Sequence, residues 1–133
     1  MKYIFSIPIL FFYHVAFTQT YSDTTTFDVI GFSCGIAGRP SESVNIITDL
    51  MNKKQYDSLK LLFNSTNPAL KYLSIRVCQF NAQKHNVVLN LNDEKWIGLA
   101  MQSIEQIEYC SGCTIQTNFT LKELFENKNV DLK

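Results

Sequence analysis

The chain has 133 residues, 46% of them hydrophobic, with twelve basic and twelve acidic side chains and no net charge at pH 7. That length suits one domain with a single core. Charges of both signs are scattered without a block or a basic face, which argues against a nucleic-acid binder, and no strongly charged amphipathic stretch points to a membrane-surface helix.

Residues 1–18, MKYIFSIPILFFYHVAFT, are expected to form a signal peptide. Lys2 supplies the positive end, residues 3–13 are almost all apolar, and Ala16 and Thr18 place small residues before Gln19. The apolar run is about a dozen residues, against the roughly 20 that a spanning helix needs. Tyr13 and His14 interrupt it. An uncleaved anchor is the competing reading. The remainder has no second long apolar segment, so the expected location is exported, periplasmic or secreted, with no stable membrane insertion after cleavage.

Residues 19–40 divide in two. The first part, 19–29, is polar and Thr-rich and reads as an extended lead-in. The second, IGFSCGIAGRP at 30–40, is an ordered Gly-rich loop pinned by Cys34, because its three glycines and proline exclude a regular helix.

The helical domain is expected over 41–127. Ser41 is a candidate N-cap, and Val44, Ile47, Leu50 and Met51 recur at helical steps to an end near Asn52-Lys53. A second helix follows from Gln55, with Tyr56, Leu59, Leu62 and Phe63 on one face. Asn67 caps a third helix with Pro68 at its first position. Leu70, Leu73, Val77 and Phe80 form its inner stripe, with Ser74 and Cys78 alongside. Residues 81–86 are a connection, and VVLNLN at 87–92 reads either as a short strand or as an approach to the next helix. Asn92 caps a fourth helix with Asp93 and Glu94 in its first turn and Trp96, Ile97, Ala100, Met101 and Ile104 on its inner face. Trp96 at this spacing is a core residue. Thr120-Leu121-Lys122-Glu123 is a capping box that starts a short fifth helix through Leu124 and Phe125. Residues 128–133 are a flexible tail.

Two resemblances follow. Residues 59–80 resemble the helix–turn–helix unit of HEAT-like repeats through Leu61-Leu62, Asn67-Pro68, Leu70-Lys71 and Ser74. The whole chain resembles small bacterial secreted proteins of uncharacterised activity ending in a C-x-G-C-T … L-x-E-L segment, matched by Cys110, Gly112, Cys113, Thr114, Leu121, Glu123 and Leu124. The expected fold class is all-α: about five short helices in a compact helical-hairpin, HEAT-like arrangement with disulfide-stapled loops. The alternative is α+β with a small hairpin from 87–91 and 113–119.

Four cysteines, Cys34, Cys78, Cys110 and Cys113, remain after the signal. An even count in an exported chain implies disulfides. The expected pairs are Cys34–Cys78 and Cys110–Cys113, with a bond from Cys34 or Cys78 to the 110–113 turn as competitor.

Other chemistries fit less well. A redox Cys-x-x-Cys needs its first cysteine at a helix N-terminus, where the thiol pKa falls, and here the helix begins about seven residues too late. Zinc needs four ligands, and the chain offers one Cys pair, two isolated cysteines and His85 outside the signal. His85, in a polar connection, is expected to be solvated. The run Gly31-Phe32-Ser33-Cys34-Gly35 has the letters of a nucleophile elbow, but no helix follows it. Glu105 and Glu108 could share a helix face, a spacing common on solvated surfaces. No glycine-rich stretch is followed by Lys-Ser/Thr. Asn64 and Asn118 head glycosylation sequons. No catalytic residue, cofactor or metal is expected. The functional expectation is a non-catalytic protein-binding or scaffold module, a class that includes immunity and inhibitor proteins, whose partner is another protein. The alternative is a thiol–disulfide redox protein using Cys110 and Cys113.

Overall fold

The computed structural model describes residues 29–34, 38–111 and 114–127. The expected signal peptide, most of the lead-in, part of the Gly-rich loop, Cys113 and the tail lie outside the described residues.

Five helices and a three-stranded sheet are formed: β1 (Val29–Ile30), α1 (Glu42–Asn52), α2 (Tyr56–Leu61), α3 (Pro68–Gln83), α4 (Leu91–Ala100), β2 (Gln106–Ser111), β3 (Thr114–Thr120) and α5 (Leu121–Glu126). A single 3-10 turn, Leu62–Asn64, extends α2. The described residues are therefore not all helical. The strands fit the α+β alternative, with different partners from those expected. Residues 87–90 are not strand, and the hairpin joins β2 to β3.

Central β2 pairs in parallel with β1, Ile30 opposite Tyr109, and antiparallel with β3. The register shifts by one residue past Glu108, where β3 carries the extra residue Thr117. Such a bulge bends the strand locally. Ile30 and Ile107 point from the sheet into the core with almost no exposure.

The helix starts follow the local chemistry. Asn67 accepts from the Leu70 N–H at 2.9 Å, with Pro68 in the first turn where its missing N–H costs nothing. Thr120 and Glu123 form the expected capping box of α5. The fourth helix is capped by Asn90 rather than Asn92. The Asn90 side chain accepts from the Asp93 N–H and the Asp93 carboxylate accepts from the Asn90 N–H, both at 2.9 Å. That reciprocal box draws Leu91 and Asn92 into the helix.

Ser41 sits at the N-cap position of α1, but its hydroxyl is used elsewhere. It accepts from the Gly31 N–H at 3.2 Å and lies 3.1 Å from the Ser43 hydroxyl, which donates to the Val29 carbonyl. These two buried serines lock α1 to β1.

The core face of α3 is Ala69, Tyr72, Leu73, Ile75 and Cys78; of the expected stripe Leu73 is buried, Leu70 and Val77 are half-buried against the core, and Phe80 is exposed. Tyr72 packs on Phe125 of α5 with ring centroids 4.9 Å apart. Leu59, Phe63, Leu121 and Leu124 close the core around them. Lys60 of α2 pairs with Asp93 at 3.1 Å, tying α2 to the start of α4. Lys71 of α3 pairs with Glu105 ahead of β2. Glu108 lies on β2, so Glu105 and Glu108 do not share a helix face. Ile104, expected on the inner face of the fourth helix, falls beyond the helix end and is 82% exposed. Trp96 is half-buried against the core.

Candidate functional site

The cysteines come first, because the sequence singled them out. Cys34 is bonded to Cys110, with Cα atoms 5.6 Å apart across a sequence separation of 76 residues. The bond continues the β1–β2 pairing just beyond Ile30 and Tyr109. This is the competing bond from Cys34 to the 110–113 turn, and it replaces the expected Cys34–Cys78 and Cys110–Cys113 pairs. Cys78 cannot reach Cys34, because it faces the core from α3 as a fully buried free thiol. Cys110 is taken up by Cys34, and Cys113 lies outside the described residues.

Gly31 explains how the cross-link fits. A Cβ there would lie 2.7 Å from the Cys110 carbonyl oxygen and 2.9 Å from the Cys110 Cβ, and would overlap the Cys34 sulfur. The 34–39 loop returns on itself through reciprocal backbone hydrogen bonds between Cys34 and Arg39. Gly38 takes a φ of +58° in that turn, a conformation that disfavours any side chain.

Burial pushes the Cys78 thiol up to about 11, with nearby Lys60 opposing and Asp93 adding to the rise. A thiol held protonated is inert as a nucleophile or ligand at neutral pH. His85 is exposed, as expected, and sits just past α3 at a φ of +60°. Asn64 and Asn118 are also exposed. Ser33, in the elbow-like run, is exposed in the loop after β1. Among the described residues no group of three or more His, Cys, Asp or Glu could hold a metal ion, and no helix is long and apolar enough to cross a membrane.

A groove of about 810 Å³ lies between α1 and α3. Val44, Ile47, Thr48 and Met51 line it from α1, and Leu73, Arg76, Val77 and Phe80 from α3. Each set follows the steps i, i+3, i+4, i+7, so each is one continuous helix face. Phe32 reaches it from the loop after β1, Met101 from the end of α4 and Phe125 from α5. Phe80 is 56% exposed, and Phe32, Met51 and Met101 are exposed as well.

The sequence had marked these faces without showing what they do. Val44, Ile47 and Met51, and Leu73, Val77 and Phe80, are the stripes expected to be core. They pack inward only in part and turn their outer members to the groove. Periodicity detects an apolar face but does not say whether a partner within the chain covers it. The signal available was on α3, which carries two apolar stripes, one more than a single core face requires.

The electrostatics of the groove are one-sided. Among the described residues Arg76 is its only charged lining residue and makes no ion pair. Burial raises the pKa of the adjacent Tyr72 hydroxyl, and the Arg76 charge partly offsets this. Lys84 lies 4.1 Å above the Phe80 ring. A cation at that distance is attracted to the ring face.

No protein-family model matches the chain, and no curated protein or solved structure matches it.

Proposed function

We propose that the chain is a non-catalytic, exported protein-binding module that engages its partner through the groove between α1 and α3. The composition of that groove carries the reading. Among the described residues its lining includes three phenylalanines, two methionines and one arginine, and no lysine, aspartate, glutamate, serine or alanine. Aromatic residues, methionine and arginine are enriched in the buried centres of protein interfaces, and the absent types are depleted there. Methionine also adapts its shape to a partner.

Export is supported by the Cys34–Cys110 disulfide, because such bonds persist in oxidising compartments. It also agrees with the expected signal peptide and with the resemblance to small bacterial secreted proteins. An immunity or inhibitor role falls within this reading.

The test is photo-crosslinking in the native cell. A photoreactive amino acid replaces Phe80 in one strain and Ile104, exposed but outside the groove, in another. A discrete protein adduct from position 80 and none from position 104 is the expected result. Equal labelling from both positions, or none from position 80, would overturn the reading.

A further inference from the structure

We infer that the groove receives an amphipathic helix of the partner, and that this helix presents an acidic side chain to Arg76. The inference rests on the groove being a protein-binding site. Two observations carry it beyond that.

The first concerns the backbone. The main groove walls are faces of α1 and α3, whose backbone groups are hydrogen-bonded within their own helices. An extended segment laid between them would find few main-chain partners, and unpaired backbone groups are costly to bury. A helix brings its own hydrogen bonds and needs only an apolar face. Anchors at i, i+3, i+4 and i+7 are the usual way such a face fills a groove between helices.

The second is charge. Among the described residues, the two cations that touch the groove are Arg76 in its wall and Lys84 over Phe80. Arg76 is exposed and, among the described residues, has no carboxylate partner. A guanidinium fork fits a carboxylate through two parallel hydrogen bonds. An acidic residue beside the apolar stripe of the incoming helix meets that geometry. A basic one is repelled by both cations.

The test is a selection on the full chain with its disulfide intact. The probe is a phage-displayed library of peptides of about 18 residues, long enough to populate a helix. Apolar residues are fixed at helical spacing and the flanking positions are randomised. Binders are expected to carry Asp or Glu at one flanking position, to gain helical circular dichroism on binding, and to weaken roughly tenfold or more on R76E. Selection on the R76E protein is expected to return Lys or Arg at the same position. Phe80→Ser, at an exposed site, should abolish binding without unfolding the chain. Phe80-dependent binders with no acidic preference, or with no gain of helix, would overturn the inference while leaving the protein-binding reading standing. An absence of Phe80-dependent peptides, with sodium oleate occupying the groove instead, would overturn both.

Discussion

Gly31 occupies a point where three pieces of chain meet. Its N–H donates to Ser41, its carbonyl accepts from the Ser41 N–H at 2.8 Å, and its missing side chain leaves room for the disulfide. A methyl group there would press on backbone as well as sulfur, so it cannot be absorbed by a rotamer change. Gly31→Ala should lower stability by about 1–3 kcal/mol, the usual cost of overpacking a tight site. It should also leave a larger fraction of free thiol at Cys34 and Cys110. Urea melts and thiol titration of the purified variant check both. Cys78 makes a separate prediction. Its folded pKa lies above the value of 9.0 expected for the unfolded chain and reaches about 11. A raised pKa means that the folded state holds the proton more tightly. The stability this contributes is fully present below pH 9 and is lost as pH rises through 11. The unfolding free energy of the wild type should therefore fall more steeply between pH 9 and 11 than that of Cys78→Ala. Iodoacetamide should modify Cys78 only on unfolding. Parallel slopes for the two proteins would show that the thiol is not buried in this way.

The helices end in a manner that composition hides. Neither α1 nor α3 has a glycine at its C-terminus. Lys54 and His85 take the left-handed conformation there instead, at φ values of 53° and 60°. The Gln55 and Asn86 N–H groups then reach back to the Leu50 and Asn81 carbonyls, each at about 3 Å. This is the hydrogen-bonding pattern of a Schellman cap, which glycine normally provides. Replacing either residue by glycine should stabilise the fold by about 0.5–1 kcal/mol by removing the Cβ penalty. Thermal melts of Lys54→Gly and His85→Gly test this, and a loss of stability in both would contradict it. The same positions show what the sequence could and could not convey. Helix starts with short-range polar signatures were legible: Pro68 after Asn67, and Thr120 with Glu123. The fourth helix was read from Asn92, and it is the reciprocal bond with Asp93 that moves the cap to Asn90. Strand β1 was missed because two residues carry no period, and its partner Glu108 lies far along the chain from Val29. Strand β2 was not read as a strand because Ile107-Glu108-Tyr109, leading into the cysteine turn, is too short to show a period. The α3 stripe was assigned to the core because apolar spacing does not distinguish a covered face from an open one.

At the scale of the molecule, the sheet and the disulfide close the chain on itself. All of α1 to α4 lies between β1 and β2 in sequence, so the parallel pairing and the Cys34–Cys110 bond brace the helical layer at its base. A loop of that length, cross-linked in the unfolded chain, is worth about 4 kcal/mol in the chain-entropy model. That is a large share of the stability of a domain this size. The brace also holds Phe32, two residues before Cys34, at the mouth of the groove. The Cys34–Cys110 bond is thus placed to brace the fold, and the proposed binding face depends on it. The most direct measurement is a disulfide map of the protein purified from its native compartment, by peptide mass spectrometry after alkylation under native and then denaturing conditions. A linked peptide joining Cys34 to Cys110, with Cys78 alkylated only after denaturation, is the predicted result. A Cys110–Cys113 ring with Cys34 free would contradict it and would make thiol–disulfide exchange the first activity to assay.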